Sequence, residues 1–345
     1  MSEDLEIIEK RQVKRQVNGL AGILIGYSSM VYVITFGYMI LKTIEILFRS
    51  FNNEQKMEEL FNELMVQLLG NGILPILGVM LGMVFILLYR KKEFFTYDLV
   101  YVNHKMKIKP FLLLFICFLA PQFIFTIASG VVETILNQFG YSILENLNMV
   151  TEGSQTLSMF LYVVLIGPIT EEFVFRGAVL RSLEKYGKIF AIIISSILFG
   201  AVHAHILQGF YAVLVGLVLG YVAVEYSIKW SILMHIANNL ISEIFVYTTA
   251  NLSITMGNYL NLGIFGIIFV VSCIILYYKR KQIRAYLENN RTNKKMYLYV
   301  FTSLFMVIFL VGNIILALSG IEKLSTTPNT MNMVSTQQPT IIEKR

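Results

Sequence analysis

Long apolar stretches with almost no charged residues constrain this chain more than any other feature of its sequence. Several of them reach the ~20 residues that an α-helix needs to cross a hydrocarbon core of ~30 Å. The stretches are 19–41, 72–89, 111–135, 156–170, 189–202, 208–224, 231–250, 261–278 and 296–319. Lipid satisfies no backbone polar groups, and barrel strands would alternate between apolar and polar residues. The sequence therefore predicts an all-α, polytopic transmembrane helical bundle of about nine spans, within a range of eight to ten.

The composition agrees with a membrane protein. Hydrophobic residues make up 56% of the 345 residues and charged residues 14%, whereas a soluble domain carries roughly 25% charged residues. Both cysteines, Cys117 and Cys273, lie inside apolar stretches, which indicates neither a disulfide framework nor a CxxC metal site. The net charge of +6 follows from the distribution of basic residues among the loops, so no nucleic-acid partner is expected.

The basic residues predict the orientation of the chain. With nine spans and a cytoplasmic N-terminus, most of the 28 Lys and Arg residues fall in cytoplasmic segments, and the outer loops 136–155, 204–207 and 251–260 contain none. This alternation follows the positive-inside rule. We expect a multi-pass protein of the cell membrane with its N-terminus in the cytoplasm and its C-terminus outside. In this arrangement Arg176 and Arg181 belong to a cytoplasmic segment after the fourth span.

Changes in composition divide the chain into segments of different character. A charged cytoplasmic arm comes first, and the last segment is rich in Ser, Thr, Pro, Asn and Gln, which is typical of a flexible tail. One segment between two spans has the apolar spacing of an amphipathic helix on the outer surface. The predicted segments are the arm 1–18, the first spans 19–154 with the amphipathic segment 50–70, a core 155–250, the last spans 251–320 and the tail 321–345.

Ionisable residues inside apolar spans are costly, so they are candidates for function. One dense cluster of them lies in the predicted core and contains three of the four histidines. The cluster comprises Glu171, Glu172 and Arg176 on the fourth span, His203 and His205 at the end of the fifth, and His235, Asn238, Asn239 and Glu243 on the seventh.

Helical spacing indicates how these residues face one another. Glu172 and Arg176 are four residues apart on one face, where we expect an ion pair. Glu171 is rotated about 100° from Glu172, so we expect the two carboxylates to face different partners and one of them to remain available for chemistry. His235 and Asn239 also share a face. The polar residues interpreted as structural are His205, at a helix end, and Asn238 and Glu243, in packing between helices.

This set of residue types allows two chemistries. A carboxylate near an imidazole can act as a general base toward water, and a second imidazole with a nearby amide can donate hydrogen bonds to a developing oxyanion. Together they would hydrolyse a peptide bond with activated water. In the other interpretation Glu171, His203 and His235 bind zinc, and water takes the fourth position. Sequence spacing alone does not separate the two.

Missing motifs exclude other intramembrane protease classes. The chain has no HExxH sequence for a zinc protease and no GxSG sequence for a serine protease. Its only aspartates are Asp4 and Asp98, so no pair of aspartates lies within the membrane.

The polar segments resemble the signature of the CPBP family (CAAX protease and bacteriocin-processing, or Abi) of intramembrane peptidases. EExxxR is present at 171–176, FxxxH at 199–203 and HxxxN at 235–239, in this order on three apolar segments. The resemblance implies an intramembrane glutamic endopeptidase similar to type II CAAX prenyl proteases. The roles that it implies are water activation by Glu171 and His203, oxyanion stabilisation by His235 and Asn239, and support of the site by Glu172 and Arg176.

The same resemblance implies a class of substrate. The substrate would be a membrane-associated protein or peptide, in some cases lipidated, as in CAAX, bacteriocin or pheromone processing, and the lipid bilayer is its setting. A metal-independent glutamate mechanism is favoured, so no cofactor is expected, and zinc is the alternative. Alternative functions are a non-catalytic bacteriocin self-immunity protein of the same fold, and a transporter that uses the polar cluster as a proton relay.

Overall fold

The structure is a computed structural model of the chain that describes residues 3–144 and 156–324. This part of the chain is almost entirely helical, and the only sheet found in it has two short strands. The predicted all-α fold is therefore confirmed. The boundary at 154 and 155 between the predicted first spans and the core lies outside the described residues, and so does the predicted tail from residue 325 onward.

Twelve helices, one five-residue π-helix (Phe94–Asp98) and two strands are found in the described residues. The helices are α1 (Glu3–Arg49), α2 (Glu54–Gly70), α3 (Ile73–Arg90), α4 (Ile108–Leu119), α5 (Pro121–Gln138), α6 (Leu157–Tyr186), α7 (Lys188–Ala201), α8 (Ile206–Glu225), α9 (Ile228–Thr249), α10 (Ile254–Asn289), α11 (Lys294–Phe301) and α12 (Leu304–Ser319). The strands are β1 (Tyr141–Ser142) and β2 (Glu322–Lys323), which pair antiparallel.

The helices have the dimensions of a multi-pass membrane protein. Within the described ranges, six helical segments are long and apolar enough to cross a membrane: α1, α3, α4 with α5, α6, α8 and α10. Helices α11 and α12, bent by 69° at their junction, make a seventh if they count as one span. The other two of the nine predicted spans correspond to α7, which has only 14 residues, and to α9, whose polar residues lower its mean hydropathy. The orientation of the termini stays a prediction.

Two predicted segments outside the spans are helical. Helix α2 accounts for most of the amphipathic segment 50–70, and the side chain of Asn53 caps it by accepting a hydrogen bond from the backbone N–H of Lys56. Its location on the outer surface stays a prediction. Residues 3–18 of the predicted arm are the first turns of α1, and Val13 and Val17 there are fully buried. Gln16 fastens this end of α1 to the end of α6, where its amide accepts a hydrogen bond from the hydroxyl of Tyr186 at 2.9 Å.

Helix α6 continues well beyond the predicted span 156–170. Arg176 and Arg181 lie inside this helix and are buried, so the predicted end of the span at residue 170 is wrong, while the side of the membrane on which the two arginines lie stays a prediction. Each has partners that make burial tolerable, since Arg181 donates to the carbonyl of Ala223 and to the carboxylate of Glu184, both at 2.6 Å. A hydropathy profile ends a span at its first charges and cannot recognise charges that are paired inside the bundle.

A sharp reversal joins α6 to α7. Gly187 has φ +134°, a conformation that other residues rarely adopt, and a Cβ there would lie 1.9 Å from the hydroxyl oxygen of Thr292. From this reversal α6 runs back to Glu171, and α7 runs on to Ala201, two residues before His203. Glu171 and His203 are each 16 residues from Gly187, or ~24 Å of helix rise. The antiparallel pair therefore places Glu171 and His203 at a similar depth.

Candidate active site

Glu172 lies at the centre of the polar cluster, and its side chain is completely buried. One carboxylate oxygen, Oε1, is 3.0 Å from Nη1 of Arg176 and 3.0 Å from Nδ1 of His235. The other oxygen, Oε2, accepts a hydrogen bond from the hydroxyl of Ser231. A buried carboxylate needs partners of this kind to offset its lost hydration. The ion pair expected from the spacing of Glu172 and Arg176 is thus present, and both oxygens of Glu172 are engaged.

Arg176 is held between Glu172 and an aromatic ring. Its guanidinium carbon lies 4.3 Å from the centroid of the Phe199 ring, in cation–π contact. Nη2 also lies 3.5 Å from the carbonyl oxygen of Gly216 on α8. A Cβ at Gly216 would lie 3.3 Å from Nη2 and 3.1 Å from the Cβ of Ser196, so the absence of a side chain lets α8 approach the guanidinium.

Both carboxylates of the cluster face His235. Nδ1 of this imidazole is 3.0 Å from Oε1 of Glu172, and Nε2 is 3.7 Å from Oε2 of Glu171. The expectation that Glu171 and Glu172 face different partners is therefore wrong. An imidazole presents nitrogens on two edges of its ring, so two carboxylates that diverge around a helix can approach the same ring from two sides.

His203 presents one nitrogen as a hydrogen-bond acceptor. Its Nδ1 lies 2.8 Å from the carbonyl oxygen of Phe199, and because a carbonyl only accepts, Nδ1 carries the proton and leaves Nε2 as the acceptor of the neutral ring. Glu171 and His235 are both close enough to interact electrostatically with this imidazole. The Phe199 ring packs edge-on against both histidines, with centroids 4.9 Å from His203 and 5.7 Å from His235. Phe199 therefore fixes the two imidazoles as well as the guanidinium.

Glu171 differs from Glu172 in its exposure. Its side chain is 25% exposed, whereas that of Glu172 is 0% exposed. Tyr27 on α1 and Tyr162 on α6 lie near enough to interact electrostatically with the Glu171 carboxylate. Glu171 is thus a partly accessible carboxylate beside two imidazoles, which is the arrangement that a general base toward water requires.

Asn239 contacts the backbone of α6. Its side-chain nitrogen donates to the carbonyl oxygen of Val163 at 2.8 Å, and its side-chain oxygen accepts from the amide of Asn238 at 3.2 Å. An amide nitrogen carries two N–H groups, and the bond to Val163 uses one of them. Asn239 and His235 lie on the same face of α9, as the spacing predicted.

Sequence reasoning missed three contributors to the cluster. Ser231 could have been found, because it precedes His235 by four residues and so shares its face of α9. Tyr27 and Tyr162 gave no signal, since a tyrosine in an apolar stretch is more often a packing residue.

The zinc interpretation requires three residues to surround one metal ion. In the part of the chain that the structure describes, no group of three or more His, Cys, Asp or Glu side chains has an arrangement that could hold a metal. Glu171, His203 and His235 as placed therefore do not fit a zinc site, and we derive no step through a metal.

His205 has the structural role that its position at a helix end predicted. Its Nδ1 accepts a hydrogen bond from the backbone N–H of Gln208 in the first turn of α8, and its Nε2 lies 3.1 Å from the carbonyl oxygen of Ile143. The ring caps α8 and ties it to the segment after β1.

Residues 153–241 match the sequence model of a known family, described as type II CAAX prenyl endopeptidase, Rce1-like. The match covers about a quarter of the chain and contains all six predicted site residues, from Glu171 to Asn239. No curated protein and no solved structure matches the chain. This match supports a membrane-embedded peptidase, in agreement with the resemblance seen in the sequence.

Proposed function

We propose that this chain is an intramembrane endopeptidase that hydrolyses peptide bonds of a membrane-associated protein or peptide with glutamate-activated water. One observation carries the proposal: Glu171 is partly exposed beside the imidazoles of His203 and His235, while its neighbour Glu172 is buried and paired. The CAAX protease match supports peptide-bond hydrolysis as the reaction.

In the proposed reaction, Glu171 and His203 bind the attacking water. Nε2 of His203 accepts one hydrogen bond from the water, because Nδ1 is committed to the Phe199 carbonyl. The Glu171 carboxylate accepts a proton from the water as the water oxygen attacks the carbonyl carbon of the scissile bond. Glu171 then returns this proton to the leaving amine when the carbon–nitrogen bond breaks. The carboxylate is regenerated, and no other reactant is needed.

His235 and Asn239 are the proposed donors to the oxyanion. With His235 protonated, Nδ1–H binds Glu172 and Nε2–H points toward the side of Glu171, where the tetrahedral intermediate forms. The second N–H of Asn239 adds another donor. In a site that excludes water, one such donor contributes ~2.7–4 kcal/mol to transition-state stabilisation.

The charges of the cluster balance in this state. Glu171 and Glu172 supply two negative charges, and Arg176 and protonated His235 supply two positive charges. A neutral set limits the cost of placing ionised groups inside the membrane. Glu172 and Arg176 are therefore proposed to support the site, since Glu172 orients His235 and Arg176 holds the Glu172 carboxylate, without either contacting the substrate.

The depth of the site limits the class of substrate. Glu171 and His203 each lie ~24 Å of helix rise from the reversal at Gly187, and Glu171 is on α6, which is long and apolar enough to cross a membrane. We therefore expect the scissile bond to reach the interior of the helical bundle. A segment anchored to the bilayer satisfies this requirement, and a prenyl group, as the family description suggests, is one such anchor. Maturation of a lipidated protein, a bacteriocin or a pheromone fits these limits.

The proposal is tested with purified full-length protein in liposomes. A panel of membrane-tethered peptides, prenylated and unprenylated, is incubated with wild type and with Glu171→Gln, and the cut site is located by mass spectrometry. We expect cleavage of at least one peptide by wild type and none by the variant. If wild type cleaves no peptide while the folded protein still binds one of them, the result favours a non-catalytic protein of the same fold.

A further inference from the structure

One backbone carbonyl of α6 has lost its usual helical partner. Residues Tyr162–Ile166 form a π-helical turn, in which the N–H of Gly167 bonds to the carbonyl of Tyr162 instead of to that of Val163. The next residue, Pro168, has no N–H to offer. The carbonyl of Val163 therefore depends on a donor from outside the helix, and the side chain of Asn239 supplies it at 2.8 Å.

Asn239 is itself the third member of a directed chain of hydrogen bonds. The hydroxyl of Tyr211 on α8 donates to the side-chain oxygen of Asn238 at 3.1 Å, and the amide nitrogen of Asn238 donates to the side-chain oxygen of Asn239 at 3.2 Å. Asn239 in turn donates to Val163. The ring of Tyr211 packs against that of Phe125 on α5, with centroids 5.5 Å apart, so its position is fixed by packing.

This series of hydrogen bonds determines which way the Asn239 amide points. Reversed, the amide would set its oxygen against the carbonyl oxygen of Val163 and its nitrogen against the amide nitrogen of Asn238, leaving both contacts repulsive. The Val163 carbonyl can only accept, so it sets this orientation together with the donor from Asn238, and the hydroxyl of Tyr211 holds the side-chain oxygen of Asn238 in place. A donor meant for an oxyanion is useful only if it is fixed in this way before the reaction.

We infer that Tyr211 and Asn238 are positioning residues, which act through Asn239 to fix its oxyanion-directed N–H and to hold α9 against the helix that carries Glu171. The positioning role rests on the proposed peptidase function. The contact between Asn239 and Val163 does not, so the two parts are tested separately.

The contact is tested by thermal unfolding, which needs no activity. Asn239→Ala leaves the Val163 carbonyl without a partner and should lower the melting temperature by about 2–4 °C. Pro168→Ala restores an N–H that can bond this carbonyl, so Asn239→Ala should cost at most half as much in the Pro168→Ala background. An equal decrease in melting temperature in both backgrounds would contradict a stabilising contact between Asn239 and the Val163 carbonyl. Asn239→Leu, which keeps the branched shape of the side chain and has no donor, replaces Asn239→Ala if that protein does not fold.

The positioning role is tested by a kinetic double-mutant cycle. Tyr211→Phe removes only a hydroxyl and should lower kcat on the order of tenfold with KM unchanged. In the Asn239→Ala background the same change should have no further effect on kcat. Tyr286→Phe is the matched control, since its hydroxyl bonds to Glu225 at 2.8 Å outside the cluster, and it should leave kcat unchanged.

Three kinetic outcomes overturn the role of Tyr211. One is an equal loss of kcat in both backgrounds, which would mean that Tyr211 does not act through Asn239. Another is a wild-type kcat for Tyr211→Phe. The third is the absence of any wild-type cleavage, which removes the proposed function together with the positioning role, while the unfolding experiment still decides the contact with Val163.

Discussion

The carboxylate of Glu172 and the guanidinium of Arg176 lie 3.0 Å apart, and both side chains are fully buried. Ser231 and His235 complete the surroundings of this carboxylate. The cluster therefore has a rigid part, built on the buried ion pair, and a partly exposed part around Glu171. The rigid part positions His235. His235 in turn faces Glu171, where we propose that the reaction occurs.

Removing one member of the buried ion pair should destabilise the protein strongly. Arg176→Met leaves an uncompensated carboxylate and is expected to lower the free energy of unfolding by about 3–5 kcal/mol. The double variant Glu172→Gln/Arg176→Met removes both charges and should be more stable than Arg176→Met alone. Chemical unfolding in detergent measures both effects.

An exposed pair provides the control for this experiment. Arg284 and Glu288 are four residues apart at 2.9 Å, with side chains 82% and 56% exposed, so Arg284→Met should leave stability unchanged. Wild-type stability of Arg176→Met would contradict the structural role of the buried pair.

Gly216→Ala tests the packing around Arg176. The added methyl group would lie 3.1 Å from the Cβ of Ser196 and 3.3 Å from Nη2 of Arg176, closer than ordinary contact. We expect a loss of about 1–3 kcal/mol of stability from overpacking, together with reduced cleavage, because the guanidinium has to move. Gly312→Ala is the matched control, since a Cβ there meets nothing within 4 Å. Equal stability and activity of the two variants would show that α8 does not hold Arg176 as described.

Ser231→Ala tests the contribution of the hydroxyl that binds Glu172. Its loss leaves Oε2 of a buried carboxylate without this donor, at a cost of ~1–3 kcal/mol. We also expect a lower kcat, since Glu172 orients His235. Ser28→Ala removes a hydroxyl that bonds only within its own helix and serves as the control. A Ser231→Ala protein with unchanged unfolding and unchanged kcat would refute this contribution.

Metal removal tests the choice between the two chemistries allowed by the sequence. Because Glu171, His203 and His235 do not form a metal-holding group, we expect cleavage to survive dialysis against a strong chelator. Added zinc should give no increase over the dialysed protein. Activity that disappears with the chelator and returns with zinc would establish a metallopeptidase instead.

The identity of the polar cluster could be predicted because charges are conspicuous in apolar helices. Glu171, Glu172 and Arg176 interrupt an apolar stretch, and four-residue spacing alone predicted the ion pair that the structure contains. The nine apolar stretches likewise all lie on helices. These predictions rest on local sequence, where period and hydropathy are informative.

Features that depend on contacts between distant segments could not be predicted. The length of α6 was underestimated because the burial of Arg181 depends on partners such as the carbonyl of Ala223, which lies on another helix. The approach of both carboxylates to His235 depends on the rotation of α9 against α6, which no spacing within one helix determines. The need of the Val163 carbonyl for Asn239 likewise appears only once the π-helical turn is seen.

The cleavage rate of Glu171→Gln tests the central claim most directly. Glutamine keeps the shape of the side chain but cannot accept the proton of the attacking water, so we predict a loss of at least ~10²-fold in kcat with an unchanged melting temperature. Glu288→Gln changes a carboxylate on α10 whose side chain is 56% exposed, so it is the matched control and should cleave like wild type. A Glu171→Gln protein that cleaves at the wild-type rate would contradict the assignment of Glu171 as the general base.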